Sequence, residues 1–229
     1  MADTRFDEWI AEHYEVLWPE LFEPAVLDPA VEFLVRLANQ GPALEFGVGT
    51  GRLAVPLTQR GVHVQGIELS PAMAARVPPE IPVTAGDFAR TKVGQRFRLV
   101  YLVRNTITNL TTQDEQVAAF QNAADHLEPG GCFVVETYIP ILERNVFTAT
   151  PEHVAYEEYD LADQIATSHH SWVLDGQLRT FESRHRYVWP AELDLMARLA
   201  GLELKERWAD WQRHPFTGAG SHVSVWQRR

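Results

Sequence analysis

The apolar positions of this chain change their period several times, and each change marks an element. Phe6, Trp9, Ile10, Tyr14 and Leu17, then Val31, Leu34, Val35 and Leu37, recur at helical spacing with breaks expected at Pro24 and Pro29, so helices precede the first strand. The run Ala43-Leu44-Glu45-Phe46 then gives way to alternating glycines, Gly47, Gly49 and Gly51, and helical spacing resumes through Leu53, Ala54 and Leu57. That is strand, tight turn, helix. Pro56 fits the first turn of a helix opening near Arg52 or Leu53, where its missing N–H costs no intrahelical bond. Gly61 stops that helix, residues 62–67 read as a second strand ending at Glu68, and Ser70 with Pro71 opens the next helix as N-cap and first residue. Residues 81–88 form a short strand running into Gly86-Asp87-Phe88, and 97–103 a buried strand running into the polar stretch 104–110. Thr112 caps a helix over 113–127 with Glu115 completing a capping box, and Pro129-Gly130-Gly131 leads into a buried strand at 132–137.

From about residue 139 to 189 the pattern becomes strand-like, at 154–159, 164–174 and 177–188, with Asp175-Gly176 as a two-residue hairpin signal. That turn sets position 174 opposite 177 and 169 opposite 182. His169 and Glu182 become cross-strand neighbours, and Thr167 and Arg184 lie further along the same face. This face is a candidate acceptor pocket, with a solvated hairpin surface as the alternative. Pro190, Leu193, Met196, Leu199 and Ala200 with Gly201 as stop give a last helix, and strands at 202–208 and 221–227 close the chain. Strands alternating with helices imply a mostly parallel sheet covered on both faces.

Composition narrows the partners. A chain of 229 residues with 45% apolar content suits one α/β domain, and a formal charge of -11 opposes nucleic acid or an anionic membrane surface, both of which require a positive field. The single cysteine, Cys132, excludes an internal disulfide and sits in an apolar run. No apolar stretch resembles a signal core or reaches the roughly 18 residues of a membrane span, so a cytoplasmic location is expected. His169, His170 and His185 lack the spacing of a metal set, and no catalytic metal is expected.

The candidate chemistry begins at the glycines, which let a bulky ligand touch the main chain just where a helix opens and offers free N–H donors. A dinucleotide fingerprint places its third glycine after a two-residue gap; here the pattern is Glu45-x-Gly47-x-Gly49-x-Gly51, with an acid ahead of the turn. It resembles motif I of the class I S-adenosylmethionine-dependent methyltransferases. Glu68 at the end of the second strand and Gly86-Asp87-Phe88 after the third follow in the family's order. The resemblance covers about residues 40–138 motif by motif and implies a Rossmann-like, mostly parallel seven-stranded sheet with helices on both faces; the small antiparallel β cap inserted after the fifth strand is read from the residues and is the part that departs from it. One methyltransferase domain over 1–229 is expected, with cap helices at about 1–40 and a substrate cap at about 139–189 read from the apolar pattern.

By that resemblance the cofactor, S-adenosylmethionine, is held by Tyr14, Glu45, Gly47, Gly49, Gly51, Arg52, Glu68, Leu69, Gly86, Asp87, Phe88 and Arg104. Glu68 would take the ribose hydroxyls, and Asp87 with the Phe88 main chain the adenine. Asn105, Thr106 and Asn109, in the loop that flanks the methyl group in the family, and Arg184 are candidates for the acceptor. Glu136, His169 and Tyr138 are candidates for handling its proton. The expected reaction is methyl transfer to nitrogen or oxygen of a small molecule. A nicotinamide-dependent oxidoreductase and a non-catalytic cofactor-binding module stand as alternatives, and the oligomeric state stays open, a homodimer included.

Overall fold

The computed structural model describes residues 8–142, 145–174 and 176–229, so Phe6 and Asp175 of the expected first helix and hairpin turn lie outside the described residues. Helices α1 (Glu8–Leu17) and α2 (Pro24–Ala38) flank a 3-10 turn at Pro19–Phe22. Pro29 does not break the chain as expected but lies inside α2. Its ring removes one bond, to the carbonyl of the exposed Ala25, while the face carrying Phe33, Leu34 and Leu37 is buried and holds the helix together. There follow β1 (Ala43–Phe46), α3 (Ala54–Gln59), β2 (Val64–Glu68), α4 (Pro71–Ala74), β3 (Val83–Ala85), β4 (Phe97–Leu102), α5 (Gln113–His126) and β5 (Leu127–Tyr138). The Ser70 hydroxyl caps α4 by accepting from the Met73 N–H, and Thr112 and Glu115 make the expected capping box on α5. Strands β6 (Asn145–Ala149), β7 (His153–Asp160), β8 (Ile165–Leu174) and β9 (Gln177–Arg186) precede α6 (Pro190–Leu199), β10 (Leu202–Trp208) and β11 (Ser221–Arg228).

Two sheets result. The larger has seven strands in the order β10-β11-β5-β4-β1-β2-β3, all parallel except β11, which runs antiparallel to both neighbours. The strand order reverses between β1 and β4, and at such a switch point the loops leaving the two strands diverge and open a crevice. The smaller is the antiparallel ladder β6-β7-β8-β9, with 174 facing 177 and 169 facing 182 as the turn signal required. Strand β6 adds an edge that the periodicity did not reveal: it is five residues long and its pairing with β7 shifts register between Val146 and Thr148, which erases the alternation.

Period-two alternation splits the core of the large sheet. Leu44, Phe46, Val100, Leu102, Phe133 and Val135 face α5 and α6, together with Phe120, Leu193 and Trp226. Ala43, Leu99, Tyr101, Cys132 and Val134 face the other way, against Phe33, Leu34 and Leu57 of α2 and α3. Glu45 belongs by parity to this second, buried face. A third cluster packs Ile10, Ala11 and Leu17 of α1 between Met73 of α4 and Trp172 of the small sheet, so α1 joins the two sheets.

Gly66 in β2 shows how closely the glycine-rich loop is seated, since an added Cβ would lie 2.5 Å from Val48 Cγ1 and 2.7 Å from Val48 Cβ. Gly66→Ala is expected to destabilise the fold by about 1–3 kcal/mol through overpacking. The check is the denaturant midpoint, and an unchanged midpoint would contradict this seating.

Candidate active site

The loop leaving β1 is shaped by backbone that only glycine adopts easily. Gly47, Gly49 and Gly51 have φ of 66°, 57° and 88°. A Cβ added at Gly49 would meet nothing within 4 Å, so the space above that residue is open. The Gly49 N–H donates to Glu68 Oε2 and the Ser70 N–H to Glu68 Oε1, both at 2.8 Å. Burial pushes the Glu68 carboxyl up, and the main-chain N–H groups of Ser70, Gly49 and Leu69 oppose that shift. One strand over, β3 pairs with β2 so that Ala85 lies beside Glu68, which brings Asp87 to the same edge. Asp87 Oδ1 accepts from the Ala89 N–H at 2.8 Å. Gly86, at φ 152°, leaves no room for a side chain beside Thr91. The Phe88 ring is buried and stacks on Phe46 at 5.7 Å, so only its main chain can serve a ligand.

Glu45 lies deeper than the other two acids. The Tyr101 hydroxyl donates to its Oε2 at 2.8 Å, and burial pushes its carboxyl up to about 8 against the opposing pull of Tyr101 and Arg52. Arg52 ties the N-terminal helices to the loop, its Nη1 donating to the Leu21 carbonyl at 3.2 Å. Burial depresses its pKa, while the nearby Tyr14, Glu136 and Glu45 push the other way. The Tyr14 phenol is raised by burial and feels the charges of Arg52, Arg104, Glu68 and Glu20, and its ring packs on Trp18 at 5.1 Å. Tyr14, Glu45, Arg52, Glu68 and Arg104 are thus one electrostatic neighbourhood around the glycines.

The loop after β4 forms the opposite wall. Arg104 and Asn105 are both left-handed, with φ of 53° and 58°, a conformation that costs free energy in non-glycine residues and persists only where surrounding bonds impose it. Those bonds come from β5: Arg104 N–H donates to Glu136 Oε2 at 2.8 Å, Asn105 N–H to the Glu136 carbonyl at 3.0 Å, and Thr137 Oγ1 to Asn105 Oδ1 at 2.5 Å. The other Glu136 oxygen accepts from Trp211 Nε1 at 2.8 Å. Glu136, expected to handle a proton, is therefore placed as a clamp on the loop. Thr106 reaches over Gly47, where a Cβ would lie 3.0 Å from its Cγ2, and Asn109 is half-buried at the end of the same turn. Beyond Glu136, the Tyr138 hydroxyl donates toward Glu157 Oε1 at 3.4 Å.

The small sheet corrects one expectation. Successive strand residues point to opposite faces, and the face of β8 that meets the rest of the protein carries Ser168, His170 and Trp172. His169, Thr167, Glu182 and Arg184 share the other face, with the exposed Val154, Val173 and Leu178. There His169 sits between Glu158 at 3.4 Å and Glu182 at 3.5 Å. The register was as expected, but His169 and Arg184 face away from the glycine loop. The inward face instead brings Glu157, Tyr159, Ser168, Ser183 and His185 toward the β4 loop, where Thr108 Oγ1 lies 3.5 Å from His185 Nδ1. The apolar residues of matching parity, Ala155, Ala166 and Trp172, are all buried, but Val154, Val173 and Leu178 give the other face apolar positions too, so alternation in the sequence does not tell the faces apart. Among the described residues no group of three His, Cys, Asp or Glu side chains is placed to hold a metal ion.

A family model described as a methyltransferase domain matches residues 43–131, from β1 to the start of the buried part of β5. Among solved structures, the CcbJ methyltransferase from Streptomyces caelestis is 36% identical, with a TM-score of 0.87 over 98% of both chains. The cypemycin N-terminal methyltransferase of a Streptomyces species is 24% identical over 96% of each chain. The dTDP-4-amino-2,3,4,6-tetradeoxy-D-glucose N,N-dimethyltransferase of Saccharopolyspora spinosa is 32% identical over 45% of this chain and 43% of its own.

The raised carboxyl of Glu45 has a pH signature. A folded pKa of about 8 against an ordinary 4.5 means that the native state holds an extra proton between those values, so the contribution of Glu45 to stability is fully present below about 4.5 and is lost as pH rises through about 8. Glu45→Gln, which stays neutral, is expected to gain stability relative to the parent as pH increases across that window. Thermal unfolding midpoints at pH 5 and pH 8 check this, and a pH-independent difference would contradict it.

Proposed function

The chain belongs to the class I S-adenosylmethionine-dependent methyltransferases, and from that premise we propose that it transfers a methyl group to an amine nitrogen of a small-molecule or peptidyl acceptor held beneath the four-stranded sheet. The observation that carries the cofactor side is Glu68. Main-chain N–H groups of Gly49 and Ser70 fix its two oxygens, one each, at the strand tip, where a carboxylate's remaining acceptor capacity suits the hydroxyls of a ribose lying over the open space at Gly49. Asp87, with one oxygen engaged by Ala89, keeps the other for the adenine amine, next to the Phe88 main chain. Gly47, Gly49 and Gly51 allow close approach of the methionine end, and Tyr14, Arg52, Leu69 and Arg104 enclose it. Bound S-adenosylmethionine supplies a methyl group already activated by its sulfonium, so the chain's own tasks are to align the acceptor, exclude water and manage the acceptor's proton.

The acceptor side is built from the β4 loop and the small sheet. Glu136 fixes the strained backbone of Arg104 and Asn105, which sets where Thr106 and Asn109 can meet a ligand. We read residues of about 139–189 as the acceptor cap of one methyltransferase domain, and the N-terminal helices as its second cover. Nitrogen is favoured over oxygen because one relative is by name an N-terminal methyltransferase and another an N,N-dimethyltransferase of an amino sugar. An overall charge of -11 also suits a cationic amine better than an anionic acceptor.

Labelled S-adenosylmethionine incubated with an amino sugar, a peptide with a free N-terminus and hydroxyl counterparts of each should label amines only, and label confined to the hydroxyl compounds would overturn the nitrogen reading. Calorimetry should show binding of S-adenosylmethionine and no binding of NAD. Glu68→Ala and Asp87→Ala are each expected to weaken that binding by about 1–3 kcal/mol through lost charge-assisted hydrogen bonds. Unchanged affinity in folded variants would remove the ribose and adenine roles.

A further inference from the structure

The half-buried carboxylates away from the candidate site are answered by cations: Glu192 by Arg186 at 2.8 Å and Asp194 by Arg207 at 2.7 Å. Glu157 is different. It lies on the inward face of β7 and collects three neutral hydroxyls, Ser168 Oγ at 2.9 Å and Tyr138 at 3.4 Å on Oε1, and Tyr159 at 2.5 Å on Oε2. Among the described residues no lysine or arginine side chain comes within 4 Å of it. Burial and the carboxylate together push both phenols well above their ordinary range, so at neutral pH they stay protonated and keep donating. The group lies against the β4 loop, since Tyr138 feels the charge of Arg104 and the adjoining Thr137 hydroxyl donates to Asn105 Oδ1. Among the described residues, then, this half-buried carboxylate is met by hydroxyls and by no cationic side chain, an arrangement that suits a cation arriving from outside.

We propose that Glu157 is the acceptor-binding carboxylate, seating the amine that receives the methyl group, an assignment that rests on the methyltransferase reading above. The hydroxyls of Ser168, Tyr138 and Tyr159 hold the carboxylate in place and leave it free lone pairs for an amine N–H. An amine that arrives as ammonium first gives one proton to solvent; the lone pair of the neutral amine then forms the new N–C bond as the C–S bond breaks, and the C–S pair stays on sulfur. Positive charge passes from sulfur to nitrogen, and the methylated ammonium afterwards gives its surplus proton to solvent. A carboxylate on the nitrogen side therefore interacts more strongly with the transition state than with the neutral amine, which is the direction catalysis requires. The two tyrosines and the serine also exclude bulk water, which strengthens that interaction.

The test needs no knowledge of the natural acceptor. Sinefungin is an analogue of S-adenosylmethionine in which an amine on carbon replaces the methylated sulfonium, so its ammonium enters the acceptor side, whereas S-adenosylhomocysteine ends at sulfur. Calorimetric titration of the full chain with each ligand should show Glu157→Gln weakening sinefungin about tenfold or more while S-adenosylhomocysteine stays within about twofold, which also reports that the variant is folded. Should Glu157→Gln not fold, Glu157→Asp, which retracts the charge, is expected to lower sinefungin affinity about threefold to tenfold with the same unchanged control. Equal affinity ratios for the two ligands in parent and variant would overturn the proposal. Failure of the parent chain to bind either ligand would instead overturn the cofactor reading on which it rests.

Discussion

The carboxylate of Glu68, held between the N–H groups of Gly49 and Ser70, is the contact on which the candidate site depends. It joins the tip of β2 to the loop that leaves β1 and to the cap of α4, three pieces of chain that meet at the crevice where strand order reverses. The loop can make this bond only because its glycines take left-handed backbone, and it stays seated only because Gly66 lets Val48 press directly on β2. Burial works against the charge of Glu68 and the main-chain donors work for it. A site built this way is organised before a ligand arrives, which reduces the ordering cost of binding.

A second constraint shapes the other wall. Glu136 uses one oxygen on the Arg104 N–H and the other on Trp211, so a side chain in the terminal loop reaches through β5 to hold the two left-handed residues after β4. The inward face of the small sheet then presents hydroxyls and a carboxylate to that loop, while α1, wedged between α4 and Trp172, fastens the sheet to the cofactor side. Left-handed backbone at Arg104 and Asn105 on one side, and on the other a Glu157 carboxylate with no cation beside it among the described residues, both border the β4 loop. Energy-costly features concentrated at one place are the physical mark of a site under functional rather than structural demand.

Much of this was legible in the residues. The order of Glu45, the glycines, Glu68 and Gly86-Asp87-Phe88 placed three acids on adjacent strands, because alternating strands and helices leave little choice of topology. The hairpin register followed from its turn, since a two-residue loop fixes pairing. Which face of that hairpin turns inward did not follow, because both faces carry polar residues and histidines, and the burial of Ala155, Ala166 and Trp172 is a tertiary fact. His169 and Arg184 were misplaced for that reason, and Glu157 was overlooked. Pro29 was read as a break because local propensity ignores the packing of Phe33 and Leu34 that overrides it. The clamp role of Glu136 depends on Trp211, 75 residues away, and no local pattern encodes such a pairing.

The most direct measurement is a crystal structure of the chain with S-adenosylhomocysteine. The account predicts both ribose hydroxyls on the Glu68 carboxylate, the adenine amine on Asp87 and the sulfur directed toward the space between the β4 loop and Glu157. A nucleoside lying elsewhere, or a Glu68 side chain still held by Gly49 and Ser70 with no ribose upon it, would contradict it.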